Sequence, residues 1–135
     1  MRSDDINRNI EFQAWLVILC AVGMLLIVGT AQAADDWSRT DKALAGAALA
    51  TTLADYAQSR YIAHHPDQYR ELNPTLPDHP TTGQVDAHFA GSILLGGLIA
   101  NWLPSDYRKW FLGGVTVIEL SAVAHNRSIG IQMRF

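Results

Sequence analysis

Cysteine is nearly missing from this chain. The one thiol among 135 residues, Cys20, excludes an internal disulfide and any metal site built on several cysteines. It lies within an uncharged apolar run, where a thiol acts as a small hydrophobe. Charge is scarce as well. Only 17% of residues are charged, against about 25% in an average soluble chain. The net charge is −3 and the ten basic residues are scattered, so no basic patch points to nucleic acid and no acidic tail is present. No nucleophile elbow, phosphate loop, dinucleotide-binding glycine set or Ser-x-x-Lys occurs. The five histidines include no H-E-x-x-H and no pair four apart on a helix, so no metal and no cofactor is expected. Internal repeats and low-complexity tracts are absent. Proline is confined: Pro66, Pro74, Pro77 and Pro80 lie in one stretch, and Pro104 is the fifth. Elsewhere nothing interrupts long helices.

What is present is apolar sequence in clusters. Residues 14–29 carry no charge, and Ala31-Gln32-Ala33 fits the small-x-small rule for signal peptidase. Asp4, Asp5 and Glu11 beside Arg2 and Arg8 do not make the positive leader that a signal normally has. Residues 1–33 are therefore either a cleaved signal peptide or a retained transmembrane anchor, and the run to Ala33 is near the ~20 residues that span a bilayer. Residues 34–135 form the second part, with helices expected at about 38–64, 84–103 and 107–125 and a proline-rich loop over 66–83.

Ser38-Arg39-Thr40-Asp41 is a capping-box pattern opening the first of these helices. That helix is long enough to cross a bilayer at about 1.5 Å per residue, but Asp55 costs about 3 kcal/mol there, so it needs neighbours. In the next, residues 87–103 are uncharged, and Ala87/Gly91 and Ser92/Gly96 are small pairs that permit close helix approach. Pro104 ends it. Trp102, Tyr107 and Trp110 around the polar turn resemble an interfacial aromatic belt. Gly113-Gly114 on the last helix is expected to sit against another helix. Residues 129–135 alternate apolar and polar, as a short strand or an interfacial tail. Arg2, Arg8, Arg60, Arg70, Arg127 and Arg134 on one side outnumber Arg39, Lys42, Arg108 and Lys109 on the other, which places the proline-rich loop in the cytoplasm. The fold class is all-α: an integral membrane bundle of three helices plus the N-terminal signal or anchor.

The polar groups able to do chemistry fall in two sets. Asp55, Gln58 and Ser59 stand at i, i+3 and i+4 on one helical face. Glu119 and Asn126 share a face seven apart, and His88 lies near the start of the middle helix. Lipid-facing charges are costly, so these faces should turn inward. The candidate polar core is Asp55, Gln58, Arg60, His88, Glu119 and Asn126, with Arg60, His88 or His125 as partners for the two acids. The second set is the loop motif Glu71, Asn73, Pro74 and His79. Asn before Pro is held extended and its side chain bonds nearby backbone. Glu71 is expected to hold Arg60 or Arg70.

These residues, together with Trp37-Ser38, Asp55-x-x-Gln58-Ser59-Arg60-Tyr61-Ile62-Ala63, Glu71-x-Asn73-Pro74-x-Leu76, His79-Pro80, Val85, Phe89, Leu103-Pro104, Arg108 and Ile129-Gly130 to Phe135, resemble a family of small membrane proteins of proteobacteria and their phages. The family has no assigned activity. The likeness runs from Trp37 to the end, with Pro77 standing where the family pattern has glycine. It implies a small multi-helix membrane protein. The expected function is a structural or accessory role in the bacterial inner membrane, multi-pass, in a phage or prophage setting. The expected partners are lipid and other membrane proteins or itself, without nucleic acid. Two other readings stay open. One is an intramembrane enzyme or a proton- or metal-handling protein using Asp55, His88 and Glu119. The other is a secreted soluble helical bundle.

Overall fold

The computed structural model describes residues 35–131. The signal-or-anchor reading of residues 1–33 and the tail beyond Ile131 lie outside the described residues. What is described is all-helical, with three helices and no strand: α1 (Arg39–His64), α2 (Thr82–Trp102) and α3 (Ser105–Ser128). Compared with the sequence expectation, α2 starts two residues earlier, and α3 is longer at both ends. No helix among the described residues is long and apolar enough to cross a membrane.

Each terminus has a physical cause. The Ser38 box forms: the Asp41 N–H donates to Ser38 Oγ at 3.1 Å, and the Ser38 N–H donates to Asp41 Oδ2 at 2.9 Å. Thr81 and Gln84 make a second box at the start of α2, with the Thr81 N–H donating to Gln84 Oε1 at 2.8 Å. Sequence reading missed this box, because Thr81 sits among loop-like residues. Helix α1 stops at Pro66, with the ring of His65 bonded to the Tyr61 carbonyl at 2.8 Å. Helix α2 stops because Leu103 precedes a proline and is held extended, at φ −73 and ψ 139. The end of α3 is a Schellman closure: the Gly130 N–H donates to Arg127 and the Ile131 N–H to Asn126, at 3.2 and 3.0 Å. Gly130 has φ +91, a left-handed conformation that side chains resist. Gly130→Ala is therefore expected to lower stability by about 1 kcal/mol, read as a shift in the denaturation midpoint. An unchanged midpoint would show that the closure contributes nothing.

Helix α1 is the middle of the bundle. It packs most extensively on α3 and less on α2, while α2 and α3 scarcely touch beyond their shared turn. The short turn at Leu103-Pro104 makes α2 antiparallel to α3. At one end the starts of α1 and α3 meet the end of α2. There Ala48, Ala100 and Leu112 form a buried cluster, with Trp37, Leu44, Ala45, Phe111 and Val115 packed on it. The alanines let the backbones come close. Towards the other end Ile62, Val85 and Phe89 are buried, and the Tyr56 and Phe89 rings lie 5.4 Å apart.

The small pairs on α2 and the Gly113-Gly114 pair do not serve this packing. A Cβ added at Gly91, Gly96, Gly113 or Gly114 meets nothing within 4 Å. The expectation that these positions bring two of the described helices together is corrected on that ground. The exposed surface is rich in large apolar side chains: Leu49 and Leu53 on α1, Leu94, Leu95 and Leu98 on α2, and Val117, Ile118 and Leu120 on α3. Counting residues from the shared end, all eight fall within roughly 6–22 Å of it at about 1.5 Å per residue. They make one apolar band around the bundle.

Candidate functional site

Two polar clusters sit inside the bundle, one at each end. The first is a seam between α1 and α3. Asp55, Gln58 and Ser59 are buried on one face of α1, as their spacing predicts. Opposite them α3 presents Glu119, Val123 and Asn126, three positions that also share a helical face. The Asn126 amide donates to Asp55 Oδ1 at 3.3 Å, and the Gln58 amide donates to the Val123 carbonyl at 3.3 Å. The Glu119 carboxyl lies within hydrogen-bonding reach of the Asp55 carboxyl. Glu71, buried at the base of the loop, lies near enough to act electrostatically on both Asp55 and His88.

Asp55 and Glu119 thus stand together without a cation, and Glu71 acts on Asp55 through space. Among the described residues none of them lies within salt-bridge reach of a Lys, Arg or His; the ion pairs run elsewhere. Three buried oxygens of this region have no hydrogen-bond partner: Gln58 Oε1, Ser59 Oγ and Glu71 Oε2. Buried polar atoms ordinarily find partners, so this concentration is unusual.

Not every expected member belongs here. Arg60 is half-exposed and turns away. It donates to the Tyr56 hydroxyl at 3.0 Å and pairs with Asp86 at 3.4 Å, and Tyr56 in turn donates to Asp86 at 2.8 Å. Its place on the helix, one residue past Ser59, turns it about 100° from the seam. His88 pairs with neither Asp55 nor Glu119. Its Nε2 meets the Asn73 amide at 3.3 Å, with the Thr75 hydroxyl alongside. His125 is exposed. Glu71 takes neither Arg60 nor Arg70. Its Oε1 accepts the Leu72 and Asn73 N–H groups at 3.0 and 2.9 Å, while Arg70 pairs with Asp78 at 3.4 Å. One oxygen of this carboxylate is thus satisfied by the nearest backbone donors. Asn73 behaves as its place before Pro74 suggests, accepting the Thr75 N–H at 3.0 Å. Pro74 and His79 are exposed on the loop. Among the described residues no three of His, Cys, Asp and Glu are placed to hold a metal ion.

The second cluster escaped the sequence reading. Arg108 is the largest fully buried side chain, with 0% exposure. Its Nε donates to the Ala100 carbonyl at 2.8 Å, and its Nη2 to the Leu103 and Asp35 carbonyls at 2.9 and 3.0 Å. Nη1 faces Asp41 Oδ2 at 3.4 Å, and Trp37 lies over the guanidinium at 4.8 Å. The α2 carbonyls are among those a helix end leaves unpaired, and a cation suits that end of the dipole. Reciprocally, Asp35 Oδ2 accepts the Ser105 N–H at 3.2 Å and caps the start of α3. Trp37 completes the clasp through Asn101 at 3.3 Å. One signal was available: an arginine in the first turn of a helix opposes the dipole there, so it needs a partner from elsewhere.

Asp41 lies at the polar rim of the bundle, below the apolar band. The Ser38 hydroxyl bond, then the Ser38 N–H and the Arg108 charge, hold its carboxyl below the ordinary 3.8. A carboxyl lowered on folding stabilises the fold above its unfolded value and loses that contribution as pH falls through the folded one. The clasp should therefore loosen only in strong acid. Lower protection of the Ser105 and Arg108 amides, relative to their intrinsic exchange rates at each pH, is the expected result below the ordinary carboxylate range. Equal protection factors at neutral pH and in strong acid would contradict it.

Compared with known proteins, the chain matches no protein-family model, no curated protein and no solved structure.

Proposed function

We propose that this chain is a small membrane-embedded protein with a structural or accessory role. The observation that carries the reading is the inverted distribution of polarity. Asp41, Asp55, Gln58, Ser59, Arg108 and Asn126 are buried, while Leu94, Ile118 and Trp110 are 70%, 70% and 83% exposed. Water favours the opposite arrangement, and apolar patches of this extent mark an interaction surface. Hydropathy along a single helix counts a residue alike whether it faces in or out. Helices α1 and α3 score as too polar because their charged residues are counted, although several of those point into the bundle. The surface offered to the surroundings is the apolar band.

The band is roughly 16 Å deep by helix rise, against about 30 Å of bilayer hydrocarbon. A mismatch of this size is relieved by local thinning or by association with other helices. That favours an accessory component that packs among membrane partners or with copies of itself. Exposed Trp102, Tyr107 and Trp110 lie about the polar turn at one rim, where interfacial aromatics are commonly found. Alkaline carbonate extraction of cells expressing the full chain tests the proposal. Retention in the pellet, with flotation on liposomes, is expected. Release into the supernatant ends the membrane reading and leaves a soluble bundle.

A further inference from the structure

We propose that the seam formed by Asp55, Glu119 and Glu71 is a proton-binding site. The argument uses the interior of the bundle and stands apart from the lipid reading.

Two carboxyl oxygens can share a hydrogen bond only through a proton that one of the groups carries. Asp55 and Glu119 lie within reach of such a bond, and buried Asp55 accepts the Asn126 amide at Oδ1, 3.3 Å away. The titratable groups that act on Asp55 are Glu119 from α3 and Glu71 from the loop, beside neutral Asn126 of α3 and, on its own helical face, Gln58 and Ser59. Helix α2 contributes no titratable partner to Asp55; its His88 faces Glu71 and Asn73. Two ionised carboxylates so placed, one on buried Asp55 and one on half-buried Glu119, with a third acting on Asp55 and no bonded cation, repel one another. A proton on the pair removes that repulsion and supplies the donor which the contact requires.

The unpartnered oxygens are the second observation. Gln58, Ser59 and Glu71 are 1%, 0% and 6% exposed, and each keeps an oxygen without a donor. Gln58 Oε1 and the Glu71 carboxylate oxygen only accept, so two of the three lack a hydrogen, while the Ser59 hydroxyl carries its own. Nitrogen and sulfur ligands are missing from the seam, and no three metal-ligating side chains converge. The ligand of this chemistry is a proton. Half-buried His88 lies beside Glu71 and the loop. Uptake is a simple addition: a proton from water bonds to one carboxylate oxygen of the pair, which becomes a neutral acid and donates to the other.

Infrared spectroscopy of the full chain, in detergent and in sodium-free buffer, tests the assignment. The wild-type protein at neutral pH should show the carbonyl band of a protonated carboxyl, moved by carboxyl-13C aspartate or glutamate. Asp55→Asn should abolish that band while keeping the helical amide bands, since asparagine imitates a neutral acid. Glu119→Gln should abolish or displace it. The isotope labels decide the matter in the wild type alone if a variant fails to fold. A folded wild-type protein without the band at neutral pH overturns the proposal, and so does a band that survives in both variants. Loss of the band on adding sodium would give the site to sodium ion and overturn it too.

Discussion

Arg108→Met is expected to be the most damaging single substitution in the described part of this protein, costing about 3–5 kcal/mol. The side chain is wholly buried and donates to three backbone carbonyls besides facing Asp41. Methionine fills similar space but leaves the Ala100 and Leu103 carbonyls without the arginine's donors and the buried Asp41 carboxylate without its cation, with only the Ser38 hydroxyl and N–H still donating to it. Arg108→Lys should restore little, because an ammonium cannot reach three diverging acceptors as the planar fork does. The measurement is the unfolding midpoint of purified protein with helix content followed in parallel. Pairing Arg108→Met with Asp41→Asn should recover part of the loss, since the second change removes the abandoned charge. If Arg108→Met unfolds like the parent, the clasp is ornamental and another contact joins the three helix ends.

Replacing Leu94, Leu95 and Leu98 together by serine should move the protein out of the membrane fraction without unfolding it. The three side chains are 70%, 58% and 52% exposed, and none belongs to the buried core. At about 1.5 kcal/mol for each leucine taken from water into lipid, the triple change removes about 4 kcal/mol, roughly a thousandfold in partition. The checks are carbonate extraction and helix content measured on the same preparation. Retention in the pellet at unchanged helix content would show that this face does not touch lipid. Loss of helix content would mean that the leucines hold the fold, contrary to their exposure.

Local features were legible in the residues. The Ser38 cap, the stop at Pro104, the shared face of Asp55, Gln58 and Ser59, and the local bond of Asn73 each depend on neighbours within a few positions. Such contacts follow from helix periodicity and from short-range backbone chemistry. The partners chosen for charged residues were not legible in the same way. Arg60 was assigned to the acidic seam, yet a rotation of one residue sends it to Tyr56 and Asp86. Glu71 was given an arginine, yet two backbone N–H groups lie closer. The glycines of α2 and α3 read as packing positions, but the helices that bear them barely meet.

Sequence by itself determined that the chain after residue 38 forms three long helices with a proline-braced loop, because caps, prolines and helical period act within single segments. It also determined that Asp55, Gln58 and Ser59 would share a direction. Tertiary structure alone decided what that direction meets. It placed Glu119 and Asn126 of α3 against Asp55, 64 and 71 positions away, and it carried Arg108 into a clasp with Asp41 and Asp35. The physical reason is that which helix faces which depends on the summed packing of all three. A single buried charge follows that outcome and does not set it.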